Sequence, residues 1–594
     1  MIITRCFLGI FAALVCFCAN AECKTEFDLT KWIAANDKPY PGEPADFFKA
    51  GNARLSGVVK DYDRECGFDN MQVFTNDGFT GKERVVNVPV NEDGTFDVEI
   101  PLSFPRLVYF RGLNGRYRFI YLEPERDLNL VVGTDTIYRY GGLLGEINRQ
   151  LADAPQYPAA NNYWMAKELT PNEASGRLKE ISDNYQSRID DYINEEKINP
   201  VAVRLLNDMV KMNYLEELLM YDLNYGYMQY DDSLASSLKE PMTAEFFSPF
   251  KEVLRENDSR FISANFRTLP FAFSSLFDRL GFKDVYEVKV IDGGLLFLKE
   301  KGVKLNEKEM EAARWIEENL GKRFFFDEEE WQAYFKRQSL AEEAARRCGL
   351  MDEYTEFRNT LPPLLFFPSN SMEQKNKTEL LKSFIGIDFS PLLWQMCLGD
   401  YLCRGQAISK NCSTKEWTSS LIESMKNDGV LTCKESIDGI SEFFTCLYDD
   451  EPYELPDDEN GAVMKKIIEP YRGKYIMIDF WATYCGPCRY EIEENAEIYR
   501  RNVDHPQFQF IFITANSESP RKLYDEYAAK HLDGLVSLYL PGGDFARLRE
   551  LFNFNGVPRQ VLIGPDGKVI DDDLKAHHIS ILTDRLNKYG VILK

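Results

Sequence analysis

The tightest constraint on the fold is the run Ile478-Asp479-Phe480-Trp481-Ala482-Thr483-Tyr484-Cys485-Gly486-Pro487-Cys488. With Tyr475-Ile476-Met477 before it, the apolar part reads as a fully buried central strand. Beyond Cys488, the residues Ile492, Ala496 and Tyr499 recur at helical spacing between charged neighbours, predicting an amphipathic helix. Cys485 therefore stands where a strand ends and a helix begins. There, unpaired backbone N–H groups and the helix dipole favour thiolate over thiol. Pro487 fits the first helical turn, where its missing N–H costs nothing. Cys488, further into the helix, is expected to be less exposed and able to attack a mixed disulfide formed on Cys485.

Spacing by itself proves little, because 13 cysteines in 594 residues give about 0.3 of a Cys-x-x-Cys pair by random placement. The flanking pattern carries the weight. A zinc site would need two further soft ligands. The histidines His505, His531, His577 and His578 are not paired with a second Cys-x-x-Cys, so no metal is expected. No Pro-x-x-x-Thr-x-x-Cys run surrounds either cysteine, which argues against a peroxidase of the peroxiredoxin type. A structural disulfide is the remaining alternative to redox chemistry.

The segment resembles the thioredoxin fold and, within it, the TlpA/ResA-like extracytoplasmic thiol–disulfide oxidoreductases. The resemblance covers residues 453–594. Asp479 matches the buried acid that thioredoxins use for proton transfer, and Trp481 the aromatic of the Phe-Trp-Ala run. Glu491 matches an acidic residue typical of the ResA-like branch. Val557-Pro558, with the strand Gln560-Val561-Leu562-Ile563 and the turn Gly564-Pro565-Asp566-Gly567, matches the cis-proline and following hairpin. The resemblance implies catalysis by Cys485, Cys488 and Asp479, and substrate contact by Trp481, Tyr484, Pro487, Val557 and Pro558. Glu491 would support the site. It implies no cofactor beyond the Cys485–Cys488 dithiol itself, and a membrane thiol-electron carrier as donor. Two positions depart from the pattern. Tyr484 stands where a second Trp is usual, and Glu493 where relatives often carry a helix-kinking proline, which predicts a straighter helix.

The start of the chain reads as a targeting segment over residues 1–21. Arg5 supplies the positive end, Cys6 to Cys18 an apolar core, and Ala19-Asn20-Ala21 a small-x-small cleavage site. The run is shorter than the roughly 20 residues of a membrane span. Cys23 invites a lipoprotein reading, with peripheral membrane attachment, but Glu22 before it is a poor match to a lipobox. A periplasmic or otherwise extracytoplasmic location follows. There thiols tend to oxidise, so the dithiol must be kept reduced or be used as an oxidant. Cys348, Cys397, Cys403, Cys412, Cys433 and Cys446 precede it. Six cysteines allow 15 pairings, and buried free thiols acting as small hydrophobes are the equal alternative. The net charge of −25 argues against nucleic-acid binding, which requires clustered positive charge.

Three rhythms divide the rest. Over residues 50–136 the period is two: Val86, Val88 and Val90 alternate, Glu92-Asp93-Gly94 turns, and Phe96, Val98 and Ile100 alternate again, predicting a hairpin. Strands at Leu107–Phe110, Phe119–Leu122 and Leu128–Val132 complete an expected all-β sandwich. It is similar to the small sandwich preceding helical and thioredoxin-like regions in secreted proteins of the Bacteroidetes type. Over 145–448 the spacing is helical, as in Leu178, Ile181, Tyr185, Ile189 and Ile193 after Thr170-Pro171. Aromatics cluster at Tyr221 to Tyr230 and Phe324 to Phe326, a pattern that favours core over ligand platform. Acidic, proline-bearing residues around 449–460 read as a linker or as the first loop of the last domain.

The expected function is reduction of disulfides in client proteins or peptides by an extracytoplasmic enzyme. The rivals are an oxidase or isomerase using the same dithiol, and a binding or scaffold protein whose redox domain is a passenger.

Overall fold

The computed structural model describes residues 29–62, 70–113, 115–133, 136–229, 240–264, 273, 276–277, 279–290, 293–360, 366–367, 370–408, 415–448, 451–574 and 579–593. The leader-like segment over 1–21, Cys23, Cys412, Tyr230, His577 and His578 lie outside them.

The alternating region forms two packed four-stranded sheets. One has the order β4-β1-β7-β8, from Thr95–Leu102, Gly51–Val59, Asp127–Val132 and Ile137–Gly141. The other has the order β3-β2-β5-β6, from Glu83–Pro89, Asn70–Asn76, Arg106–Arg111 and Tyr117–Leu122. Leu55, Phe96, Ile100 and Leu130 of the first meet Val73, Val88, Phe110 and Ile120 of the second in a dry interior. The expected hairpin does not form. The Asp93-Gly94 turn exists, with Gly94 at φ +83°, but β3 pairs with β2 and β4 with β1. An alternating pattern shows which residues face the core, and both strands do; it does not show whether they sit side by side or face each other across that core.

The middle region is mainly helical. Thr170 caps the long helix α1 (Pro171–Glu195) in a reciprocal capping box with Glu173. Helix α2 (Pro200–Gln229) carries Tyr221 and Tyr225 into a large apolar core shared with α3 (Leu392–Ile408) and α4 (Lys434–Tyr448). Phe79 and Phe104, which belong to the sandwich, insert into that same core. The carbonyl of Phe79 approaches α3 so closely at Gly399 that a Cβ there would lie 2.0 Å from its oxygen. A three-stranded sheet interrupts the helices: β10 (Arg323–Phe326) and β11 (Phe366–Phe367) flank β9 (Tyr286–Lys289). Phe326 is buried, whereas Phe325 is largely exposed.

The last domain is a five-stranded sheet of order β14-β13-β12-β15-β16: Val536–Leu540, Phe508–Ala515, Tyr475–Phe480, Arg559–Ile563 and Val569–Asp571. The first three are mutually parallel, and β15 and β16 are antiparallel. Central β12 buries both faces, hence its near-continuous apolar sequence. Ile476, Ile478 and Phe480 meet α5 (Glu459–Ile468) and α9 (Gly542–Leu551). Met477 and Trp481 face α6 (Gly486–Glu494), α7 (Ala496–Arg501), α8 (Arg521–His531) and α10 (Ile579–Asn587). Residues 451–458 of the acidic stretch prove to be the first loop of this domain, because Tyr453 bridges to Val569.

The sandwich and the last domain are joined along α9. Asn87 on β3 donates to both carboxylate oxygens of Glu550, from its backbone N at 2.9 Å and from Nδ2 at 2.6 Å. Gln72 on β2 donates to the Ala546 carbonyl at 3.2 Å. These contacts bury polar residues on a sheet face that would otherwise be wet.

Candidate functional site

Cys485 is the N-cap of α6, and its Sγ accepts the Cys488 backbone N–H at 3.1 Å. The two cysteines are joined as a disulfide, with Cα atoms 5.3 Å apart. Cys488 is wholly buried and Cys485 is 5% exposed. Gly486, Pro487 and Tyr484 around it are exposed, so the sulfur of Cys485 is approached from solvent. Sγ of Cys485 lies 3.6 Å from the Val557 carbonyl oxygen, and the Val557–Pro558 peptide is cis. The structure thus brings Cys485, Pro487, Tyr484, Val557 and Pro558 together at the surface, with Cys488 buried behind Cys485.

Asp479 sits on β12, on the face that carries Met477 and Trp481 toward the cysteine layer. Both of its carboxylate oxygens are buried without a hydrogen-bond partner. Burial, and secondarily the charge of Glu491, holds this carboxyl well above the usual carboxylate range. Glu491, one turn beyond Cys488 on α6, is also buried and accepts from Gln560 Nε2 at 3.0 Å. Gln560 occupies the position directly opposite Asp479 in the β12–β15 register. The result is a buried polar layer beneath the disulfide, with one carboxyl group left without a hydrogen-bond partner.

Two expectations need correction. Trp481 is fully buried, its ring 5.1 Å from Tyr527 and 6.1 Å from Tyr524. It supports the strand end from below and offers no surface to a substrate, because β12 turns it into the core. The helix is not straighter for lack of a proline at Glu493. It breaks at Asn495, whose Nδ2 and backbone N both donate to the Glu491 carbonyl. A side chain that competes for the carbonyl four residues back ends a helix without proline.

Sequence reasoning missed the clamp on Tyr484. Its hydroxyl donates to Glu518 Oε2 at 3.0 Å. Glu518 in turn is held by Arg549 Nη2 at 3.0 Å, both side chains being buried, and by Arg111 of β5 in the sandwich at 3.5 Å. The exposed aromatic beside the dithiol is therefore tied to the first domain. Arg549 reads as an ordinary solvated residue of an amphipathic helix, and nothing local marks Glu518. Among the described residues, Cys348, Cys397, Cys403, Cys433 and Cys446 are free thiols, and Cys485–Cys488 is the bridge.

A family model described as thioredoxin-like matches residues 473–569. Among curated proteins, the chain is 29% identical over 120 residues to Probable nucleoredoxin 1 of Arabidopsis thaliana, covering 20% of this chain and 19% of that protein. It is 30% identical over 114 residues to Probable nucleoredoxin 3 of Oryza sativa subsp. japonica, covering 18% and 23%. The chain thus spans about a fifth of the length of these relatives. Among solved structures, it is similar to the thioredoxin domain of a thiol-disulfide oxidoreductase from Bacteroides vulgatus, with 21% identity, coverage of 20% and 83%, and a TM-score of 0.18. A thiol-disulfide oxidoreductase from Bacteroides fragilis gives 19% identity, coverage of 20% and 85%, and a TM-score of 0.18. No described helix is long and apolar enough to cross a membrane.

Proposed function

We propose, from a thioredoxin-like C-terminal domain carrying Cys485-Gly-Pro-Cys488, that the chain is an extracytoplasmic thiol–disulfide oxidoreductase that reduces disulfides of client proteins or peptides. The observation that carries this reading is Cys485 Sγ at the helix N-terminus, facing solvent, with Cys488 joined to it and the unpartnered Asp479 carboxyl below. In the reduced enzyme the Cys485 thiolate attacks a client disulfide. A mixed disulfide forms, and one client sulfur leaves as thiolate and takes a proton. Cys488, losing its proton to Asp479, then attacks Cys485 Sγ. The second client thiol departs, and the Cys485–Cys488 disulfide remains. A membrane thiol-electron carrier returns the pair to the dithiol. The leader-like residues 1–21 support an extracytoplasmic site of action.

The Gly-Pro dipeptide favours the reducing direction. Equilibration of the purified protein with dithiothreitol buffers tests it. A reduction potential of about −270 mV fits a reductant, whereas about −120 mV would make the protein an oxidant. A Cys488→Ser variant should accumulate mixed disulfides with clients in vivo. A variant that trapped none would leave the domain a passenger on a binding protein.

A further inference from the structure

We infer that the cleft beside the dithiol is a docking groove built by all three domains for an extended, non-acidic segment of client polypeptide, and that Phe443 and Leu447 of the helical region select that segment. The inference rests on the oxidoreductase reading and names what presents the disulfide.

A cavity of about 460 Å³ runs alongside Val557 and Pro558, the former only 3.6 Å from the reactive sulfur through its carbonyl. Its opposite wall is the end of α4, with Phe443, Cys446 and Leu447. The third wall is the sandwich turn at 80–83. That turn is fixed from two sides. Phe79 is sunk in the helical core, and Glu83 Oε2 accepts the backbone N–H of Asn555 at 3.1 Å. Gly81, at φ +67°, lies so close to Asp400 that a Cβ would collide with its carboxylate. On the floor, Arg559 is anchored to Asp573 at 3.0 Å and donates to the carbonyls of Asp572 and Phe552 at 2.7 and 2.8 Å. These anchors give the cleft a fixed width.

The volume falls within the range of about 300–1,000 Å³ typical of sites for small ligands and short segments, and no folded client surface could enter it. Phe443 and Leu447 are half-buried, packed on the helical core on one side and lining the cleft on the other, which suits one apolar side chain near the client's half-cystine. Glu83, Asp571, Asp572 and Asp573 line the cleft against Lys82 and Arg559, with Asp571 paired to Arg585 at 2.9 Å; acid remains in excess, so an acidic segment is disfavoured. A client therefore threads in as extended chain, with its disulfide brought to Cys485 past the Val557 carbonyl.

The test uses the reduced full-length protein with two substrates. One is glutathione disulfide; the other is an unstructured basic peptide with an apolar residue two positions from a cysteine held as a mixed disulfide. In Phe443→Ala and Leu447→Ala, the ratio of peptide to glutathione disulfide kcat/KM should fall about tenfold, carried by KM. Because either variant could misfold, a second measurement uses Cys488→Ser. The peptide, with benzoylphenylalanine as its apolar residue, is trapped on Cys485, irradiated, and its attachment mapped by mass spectrometry. Adducts on residues 443–447 support the groove. An unchanged ratio in folded variants, or adducts confined to the last domain, overturns it. If neither substrate is reduced by the unaltered protein, the oxidoreductase reading itself falls and the groove with it.

Discussion

Cys397 and Cys403 on α3, each about 1% exposed, are buried much as Cys488 is at 0% and Cys485 at 5%, yet the two pairs occupy different chemical worlds. The α3 thiols are packed among Met396, Leu398, Leu402 and Trp394 in the helical core. Burial pushes both well above the ordinary thiol range, and the nearby carboxylate of Asp400 adds to it. The last domain instead points a helix N-terminus at one sulfur and places a buried carboxyl beneath the pair. What distinguishes an inert thiol from a reactive one is thus which polar groups face the sulfur, and the amount of accessible surface does not decide it.

The largest test of this contrast is chemical. After mild reduction at pH 7, Cys485 should be alkylated on the order of a thousandfold faster than Cys397 or Cys403, because only the thiolate reacts. Cys485→Ser should abolish turnover, while Cys397→Ser should alter stability alone. Comparable labelling of the two sites in the native protein, followed by mass spectrometry, would break the comparison.

Next in size is the wiring that holds the reactive side in place. Arg549→Ala leaves the buried Glu518 carboxylate with Arg111, at 3.5 Å, as its remaining cation, beside the hydroxyls of Tyr484 and Ser517. Breaking a buried pair in this way costs about 3–5 kcal/mol. Denaturant unfolding followed by tryptophan fluorescence should show that loss, and the release of Tyr484 should raise KM for peptide disulfides. Cys397 takes no part in the Glu518–Arg549 pair, so Cys397→Ala should leave KM where it is.

That wiring also marks the boundary of what the sequence made legible. The strand, the Cys-Gly-Pro-Cys turn and the helix are covalent neighbours, so their geometry is written locally, and Cys485 at the cap follows from residue order. Asp479 comes from the resemblance to thioredoxins, and it lies in that same local run, on a strand buried on both faces. Contacts between distant segments left no such trace. Gln72 and Asn87 look like the wet face of a sandwich until α9 covers them. The strands β3 and β4 share a turn but belong to different sheets. Tyr286–Lys289 finds its partners tens of residues away. The break at Asn495 arises from a side-chain bond to a carbonyl that helical spacing does not register.

Asp479→Asn comes third, and it acts in two directions. Removal of the proton acceptor should slow resolution of the mixed disulfide about a hundredfold, within the usual range for a general base. Stability should move the other way. The folded carboxyl titrates well above its ordinary 3.8. Between those two values the native state holds a proton that the unfolded chain has released, so stability is full at acid pH and is lost as pH rises through the folded value. Asparagine carries no such charge to bury. The variant should therefore gain in melting temperature relative to the parent as pH rises from 4 to 8, while losing activity. A parallel pH dependence for the two proteins would mean that Asp479 is not the buried acid of the site.

The smallest effect sharpens the other half of the contrast. If Cys397 is a hydrophobe that happens to contain sulfur, its stability cost should follow volume and polarity, and redox state should be irrelevant. Cys397→Ala removes one buried sulfur from a packed core and should cost about 1 kcal/mol. Cys397→Ser keeps the volume closer but buries a hydroxyl among apolar neighbours, where an unmade hydrogen bond costs about 1–3 kcal/mol. Serine should therefore be the worse substitute, by urea unfolding, at unchanged reduction potential of the Cys485–Cys488 pair. The reverse ranking, or a potential that moved with Cys397, would place the two pairs of thiols in one electron circuit.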